Sequence, residues 1–238
     1  MLRSIYMPQD GSRSFPELLS LAVHEFRTPA GVIAGYLRML RRDTEHPLSE
    51  RQEKIVSEAE RSCARVVALI DELSEIAKLD GSPEATLARQ PFDLFDAVRE
   101  VAAGVHEVDD REAVLEVRGE AAGAHMVGDP SRVRTALSAI FRAIVRERAA
   151  AGTIAVSCHI DAHDGRRAAV VVVADESRVQ AAYEAARVPF DEKRGGLGLA
   201  LPIGRRVIEA HGGHLLSPAI EEGRGIAVIV IPIPEQGA

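Results

Sequence analysis

The sequence predicts an α+β chain in two parts: an antiparallel helical hairpin that forms a dimeric four-helix bundle, followed by an α/β sandwich. Three observations carry this. Between residues 15 and 79, apolar positions recur in alternating steps of four and three, the period of a coiled-coil seam. Asp80-Gly81-Ser82-Pro83 then breaks the pattern with turn-forming residues. Beyond about residue 89, short β-branched runs alternate with amphipathic stretches, the order of a layered domain. A chain of 238 residues has room for two small domains. The expected division is an N-terminal segment over 1–14, the hairpin over 15–80, a linker over 81–88 and the second domain over 89–238.

The first helix runs from Phe15 to about Arg42, with Ser14 as N-cap and Pro16 in the first turn. Its seam is Ala22, Phe26, Pro29, Ile33, Tyr36 and Leu40. Asp43 to Pro47 reads as a turn. The second helix, about Ser49 to Leu79, carries the stripe Ile55, Ala59, Ser62, Val66, Leu69, Leu73 and Ile76. One hairpin alone cannot bury so narrow a stripe, so a homodimer is expected; the competing expectation is that the stripe packs on the second domain. There, Phe92 to Val105 reads as a helix opened by Asp93. Val114 to Val117 and His125 to Val127 read as strands, and Pro130 to Ala150 as a long helix. Ile154 to Ile160 and Ala168 to Ala174 read as strands, the latter apolar enough for a central place. A helix over Gly198 to His211 and a strand over Ile226 to Ile233 complete the order.

A net charge of −7 argues against a nucleic-acid-binding surface. No apolar run approaches the ~18 residues that span a bilayer, and no signal-peptide plan opens the chain, so no membrane association is expected. Cys63 and Cys158 stand far apart without ligand-like neighbours, as structural thiols of a reducing cytoplasm do, and a cytoplasmic location follows. His106, His159 and His163 share no metal-binding spacing, and His211 reads as part of a helix end.

His24 differs from the other histidines. It lies two residues from the nearest seam position on either side, ~200° round the helix at ~100° per residue, and is therefore directed at solvent. A solvated imidazole is largely neutral near physiological pH and free to act as a nucleophile. Its neighbours are His24-Glu25-Phe26-Arg27-Thr28-Pro29. A zinc-protease helix would need a second imidazole where Thr28 stands, which rejects that reading. The run resembles the phospho-accepting box of two-component sensor histidine kinases, His-Glu-x-x-Thr-Pro, at every fixed position. The resemblance implies that His24 carries a phosphoryl group, that Glu25 accepts a hydrogen bond or proton from the imidazole, and that Thr28 orients water for dephosphorylation of a response regulator. Arg27 reads equally as a contact to the phosphoryl group or as a solvated cation. Only about a dozen residues precede the first helix, so a member of this family without its own membrane sensor is expected.

The second domain is similar to the family's ATP-binding domain, with departures. Gly195, Gly196 and Gly198, within Gly195-Gly196-Leu197-Gly198-Leu199-Ala200-Leu201, resemble the second glycine box, a turn at a helix N-terminus that receives phosphate. Gly223 and Gly225 resemble the third glycine element, and Asp175 stands where the family's aspartate holds the adenine amino group. Asp129-Pro130-Ser131-Arg132 opens the asparagine box, but Ala139 and Ala143 occupy its two Asn positions, and alanine has no oxygen for Mg2+. The first glycine box has Ser177 and Val179 in place of its glycines. Only Asp191-Glu192-Lys193-Arg194 separates Phe190 from Gly195, where the family has a mobile lid.

Phosphoryl transfer from ATP depends on positioning and on metal. A degenerate domain of this kind, as in a histidine phosphotransferase or pseudokinase, implies weak or absent autophosphorylation. ATP binding stays open in either direction, Mg2+ is not expected, and no cofactor is required for transfer between His24 and a partner. The expected partners are a second copy of the chain and a response-regulator receiver domain whose aspartate exchanges phosphoryl with His24. Two alternatives stand beside this: a working histidine kinase with atypical ATP binding, and an inert dimeric adaptor that docks a regulator or pairs with an active histidine kinase.

Overall fold

The computed structural model describes residues 14–105, 113–147, 152–195, 198–219 and 224–235. The chain divides into two units between Gly81 and Ser82. Of the expected N-terminal segment, all but Ser14 lies outside the described residues.

In the first unit, helix α1 spans Phe15–Arg42 and helix α2 spans Glu50–Gly81. The Ser14 N–H donates to the Glu17 carboxylate at 2.9 Å, and the Ser49 N–H to the Gln52 side chain at 2.9 Å, so both helices open on a capping interaction. Between them Asp43 Oδ1 accepts from the Glu45 and His46 amides at 2.9 and 3.0 Å, which closes the turn. Helix α1 continues through Pro29, whose ring removes one backbone donor just beyond His24.

The apolar seam divides differently from the sequence expectation. Val23 and Ala30 in α1 and Val56, Cys63, Ile70 and Ala77 in α2, each set at intervals of seven, are buried, and so are Leu79 and, from the expected stripe, Ile76. Val23, Ala30 and Ile70 pack as one cluster, with Val67 and Leu73 against it. Most of the stripe read from the sequence lies beside this contact and outside it. Phe26 is 56% exposed, Ile33 53%, Ile55 59% and Val66 48%. The two faces are offset by a single residue, about a quarter turn, and both repeat at four and three. Periodicity alone cannot separate them.

In the second unit a one-turn helix α3, Pro83–Thr86, occupies the stretch expected to be linker. Strand β1 (Gln90–Asp93) pairs antiparallel with β3 (His125–Gly128) as a small separate sheet. The helix expected from Phe92 begins two residues later, as α4 (Leu94–Val105), because Phe92 and Asp93 pair with Met126 and His125. Asp93 Oδ1 accepts the Phe95 amide at 2.9 Å and Oδ2 accepts the Gly123 amide at 2.7 Å, so one carboxylate starts the helix and ties down the neighbouring turn.

The main sheet holds β2 (Ala113–Gly119), β4 (Gly152–His163), β5 (Arg166–Ala174), β8 (Ala227–Pro232), β7 (His214–Ser217) and β6 (Val188–Pro189), in that spatial order. β2 runs parallel to β4 and every other pairing is antiparallel. α5 spans Pro130–Glu147, and residues 148–150 of the expected helix lie outside the described residues. α7 spans Ala200–Ala210. α5 and α7 approach closely at Gly204, where a Cβ would come within 3.3 Å of the Ala136 Cα. A short helix missed from the sequence, α6 (Val179–Ala185), adds Ala182, Val179 and Tyr183 to a cluster with Ala168, Val170, Val172, Ala174, Val228 and Val230. The alternate residues of β8 face the other way: Ile231 and Ile208 of α7 both border Gly213. The sheet is therefore covered on both faces at its centre, which is why β5 is apolar from Ala168 to Ala174.

Candidate functional site

His24, Glu25 and Thr28 are all exposed on α1. His24 and Thr28 are one turn apart, which places their Cβ atoms about 5–6 Å from each other on one face. Along that face, Gly31 and Gly35 leave open space where a side chain would stand, and Leu21, Val32 and Met39 flank it at 43%, 52% and 68% exposure. Arg27 turns away from His24 to α2, where its Nη2 meets Asp71 Oδ1 at 2.6 Å. Of its two readings, the structure supports an exposed cation, here paired between the helices.

In the second unit the Asp-Pro-x-Arg turn is a structural knot. Asp129 is 7% exposed. Its carboxylate accepts the Ala88 amide at 3.1 Å and the Arg132 amide at 3.0 Å, and its own N–H donates to His211 Nε2 at 3.0 Å. His211 Nδ1 lies 2.7 Å from the Val207 carbonyl, so the proton sits on Nδ1 and leaves Nε2 as the acceptor. A Cβ on Gly128 would meet the His211 ring at 2.4 Å, which explains that glycine. His211 thus does more than end a helix: it joins α7 to the start of α5.

The glycine elements are partly visible. Gly195 ends a 3-10 turn, Glu192–Gly195. Gly198, at φ +117°, precedes α7. Gly225, at φ +69°, donates its N–H to Glu147 Oε2 at 2.8 Å. Gly196 and Gly223 lie outside the described residues. Gly198 lines a cavity of about 510 Å³ with Ser138, Ala139 and Arg142 of α5 and Val101 and Gly104 of α4. Asp175 is not among the residues that line it. After Asp175 the chain turns directly into helix: Ser177 sits in a 3-10 turn, and Val179 starts α6 and packs on the sheet.

At the two positions where the resemblance implies magnesium, the side chains offer no oxygen. Ala143 is fully buried among apolar neighbours, and Ala139 presents only a methyl group to the cavity. Among the described residues, no group of three or more His, Cys, Asp or Glu side chains could hold a metal. Cys158 is buried in the sheet, and burial pushes its thiol up to about 12, which leaves it unreactive.

The four residues after Phe190 fold back on the domain. Arg194 forms a two-pronged pair with Glu147 at the end of α5, Nε–Oε1 2.6 Å and Nη2–Oε2 2.5 Å. The Arg194 guanidinium lies 4.1 Å over the Phe190 ring. Both side chains are near 15% exposed, and Glu147 also holds Gly225. Replacing Glu147 with alanine removes both carboxylate contacts from Arg194, leaving the Ile226 carbonyl at 3.3 Å, and frees Gly225. Such a loss costs about 3–5 kcal/mol, and the expected result is a lower denaturant midpoint at unchanged slope.

Comparison with known proteins agrees with this geometry. Residues 17–82 match the family model of the His Kinase A (phospho-acceptor) domain. Sensor protein CutS of Streptomyces coelicolor is 29% identical over 224 residues, covering 89% of this chain and 51% of CutS. The circadian input-output histidine kinase CikA of Synechococcus elongatus is 21% identical over 248 residues, 99% of this chain and 32% of that protein. The chain therefore spans about half or less of the length of these curated relatives. Full-length ShkA, crystallised in complex with AMPPNP, shares the fold at a TM-score of 0.59 and 24% identity, over 93% of this chain and 46% of that one. Histidine kinase ThkA, solved in complex with response regulator protein TrrA, does so at 0.51 and 20%, over 93% and 63%.

The helical hairpin thus resembles a histidine-kinase phospho-acceptor domain. Over most of its length the chain is similar to sensor histidine kinases. No helix among the described residues is long and apolar enough to cross a membrane.

Proposed function

We propose that this chain is a dimeric phosphotransfer protein of two-component signalling, in which His24 exchanges a phosphoryl group with an aspartate of a receiver domain and ATP-dependent autophosphorylation is weak or absent. The observation that carries the reading is a contrast between two positions. His24 stands exposed on the phospho-acceptor helix, whereas Ala143 puts a buried methyl group where the family holds magnesium. The solved complex of ThkA with its response regulator supports a receiver domain as the partner.

The unprotonated ring nitrogen of His24 attacks the phosphorus of the receiver's aspartyl phosphate. An N–P bond forms as the O–P bond breaks, and the aspartate leaves as carboxylate. The proton on the other ring nitrogen, made acidic by the transfer, passes toward Glu25. Thr28, one turn on, is placed to orient water for hydrolysis at the receiver. Replacing Thr28 with alanine is expected to slow receiver dephosphorylation at least about tenfold while leaving His24 labelling within about twofold. Phosphate release and histidine labelling, measured on the same sample, separate the two effects.

The exposed apolar strip of the hairpin supports the dimer. Phe26, Ile33, Val66, Leu69 and Leu73 line one groove between α1 and α2, and a second copy of the same hairpin buries it as a four-helix bundle. The test of the whole reading is incubation with labelled ATP and, separately, with a labelled phosphorylated receiver. Label from the receiver alone supports it. Label from ATP supports the working kinase, and label from neither supports the adaptor.

A further inference from the structure

Two histidines from distant strands, His163 of β4 and His214 of β7, come together on the face of the sheet that carries α6. Along β4, His159, Asp161 and His163 alternate onto that face, and the register sets His214 on it too, in one row with Val230, Val170 and His159. Two of these groups are engaged with α6. The His159 ring meets Tyr183 edge-on at 5.1 Å, and the Tyr183 hydroxyl donates to Asp161 Oδ2 at 2.8 Å. His163 and His214 meet each other instead. Two strands separate β4 from β7, yet the two ring centres are 6.1 Å apart, because sheet twist carries the end of the β4–β5 hairpin toward the start of β7. The His163 side chain is 32% exposed and His214 is exposed, so both rings are open to solvent.

We infer that the His163–His214 pair binds one divalent transition-metal ion of the class that prefers imidazole, Zn2+ or Cu2+, with water completing its coordination. An ion held by two imidazoles lies ~2.0–2.1 Å from each nitrogen, which sets the two ring centres about 5–6 Å apart. The observed 6.1 Å stands at the wide end of that range, and a small rotation of either exposed ring narrows it. Neutral imidazole nitrogens suit Cu2+ and Zn2+, whereas Mg2+ prefers oxygen. Asp164 places a carboxylate oxygen 3.8 Å from His163 Nε2, which adds negative charge beside the ion without supplying a third ligand. Arg166, opposite His163 in the register, is exposed. Spacing along the chain gives no sign of such a site, because β5, α6, β6 and α7 all lie between the two histidines. The site is independent of phosphotransfer at His24. A bound ion ties the β4–β5 hairpin to β7 and stabilises the second unit by mass action.

The test uses the full chain, titrated by calorimetry with zinc, copper(II) and magnesium chlorides in turn. Zn2+ and Cu2+ are expected to bind with Kd about 100 μM or tighter, Cu2+ at least about tenfold more tightly than Zn2+, and Mg2+ not at all. His163→Asn and His214→Asn are each expected to weaken the tightest Cu2+ step at least about tenfold. Of the eight histidines six lie outside the pair, so the difference between variant and parent is the readout. Nitrogen splitting in the electron paramagnetic resonance spectrum, at one equivalent of Cu2+, is expected to report two imidazoles in the parent and one in each variant. Zn2+ is expected to raise the thermal midpoint of the parent and to leave those of the variants unchanged. Should a variant fail to fold by circular dichroism, amide exchange on the parent decides, with Zn2+ expected to slow it over both 160–167 and 213–217. Several results overturn the assignment: a variant that binds Cu2+ as tightly as the parent, a one-imidazole spectrum of the parent, Mg2+ bound as tightly as Zn2+, a midpoint that Zn2+ does not raise, or exchange slowed in fewer than both segments.

Discussion

Replacing His24 with alanine is expected to abolish labelling of the chain by a phosphorylated receiver domain. The reason is chemical. In the proposed transfer the imidazole supplies the nitrogen of the new N–P bond, and the hairpin's other imidazole, His46, lies in the turn beside Asp43, outside the motif. Glu25 and Thr28 are exposed beside it, but neither forms a stable phosphoramidate, and Arg27 is held in a pair with Asp71. The loss is therefore expected to be complete, as for removal of any covalent nucleophile, and not the 10²–10⁴-fold reduction typical of a lost acid or base. Because His24 is exposed and packs in no core cluster of the hairpin, the variant keeps the folding stability of the parent within about 0.5 kcal/mol. An inactive but folded protein is the diagnostic result, read by gel labelling together with thermal unfolding.

Val66→Asp is expected to convert the proposed dimer to a monomer. Val66 is 48% exposed in the single hairpin and lines the apolar groove between α1 and α2, so an aspartate there leaves the hairpin's own contacts untouched. In a symmetric dimer the same substitution places two unpaired carboxylates in the interface. At ~3 kcal/mol for each buried, unpartnered charge, the dissociation constant rises by about 10⁴. Sedimentation equilibrium at micromolar concentration reads the change as a halved mass. Val114→Asp is the control: Val114 is 51% exposed on β2, a strand of the second unit, and its substitution is expected to leave the mass unchanged.

Much of the architecture was legible because it rests on local rules. The capping of α1 and α2, the Asp43 turn and the apolar run of β5 all follow from residues within a few positions of each other. Less local features were not legible. The face that closes the hairpin, through Val23, Ala30, Cys63 and Ile70, lies one residue from the stripe that the four-three period picks out. Choosing between them requires knowing which helix faces which. β6 and β7 hold two and four residues, too few to show a period, and α6 is set by packing on the sheet, not by a cap.

The site shows the same division. The motif around His24 could be read directly, whereas the roles of His211, Glu147 and Arg194 could not, because their partners are 82, 78 and 47 positions away in the chain.

The most direct test of the central claim is a paired labelling experiment on the unmodified chain, with radiolabelled ATP and magnesium in one arm and a radiolabelled phospho-receiver in EDTA in the other. Acid-labile, alkali-stable label, the signature of phosphohistidine, is expected from the receiver within minutes and not from ATP over the same period. Label acquired from ATP as readily as from the receiver contradicts the account, and so does a receiver that keeps all of its phosphate.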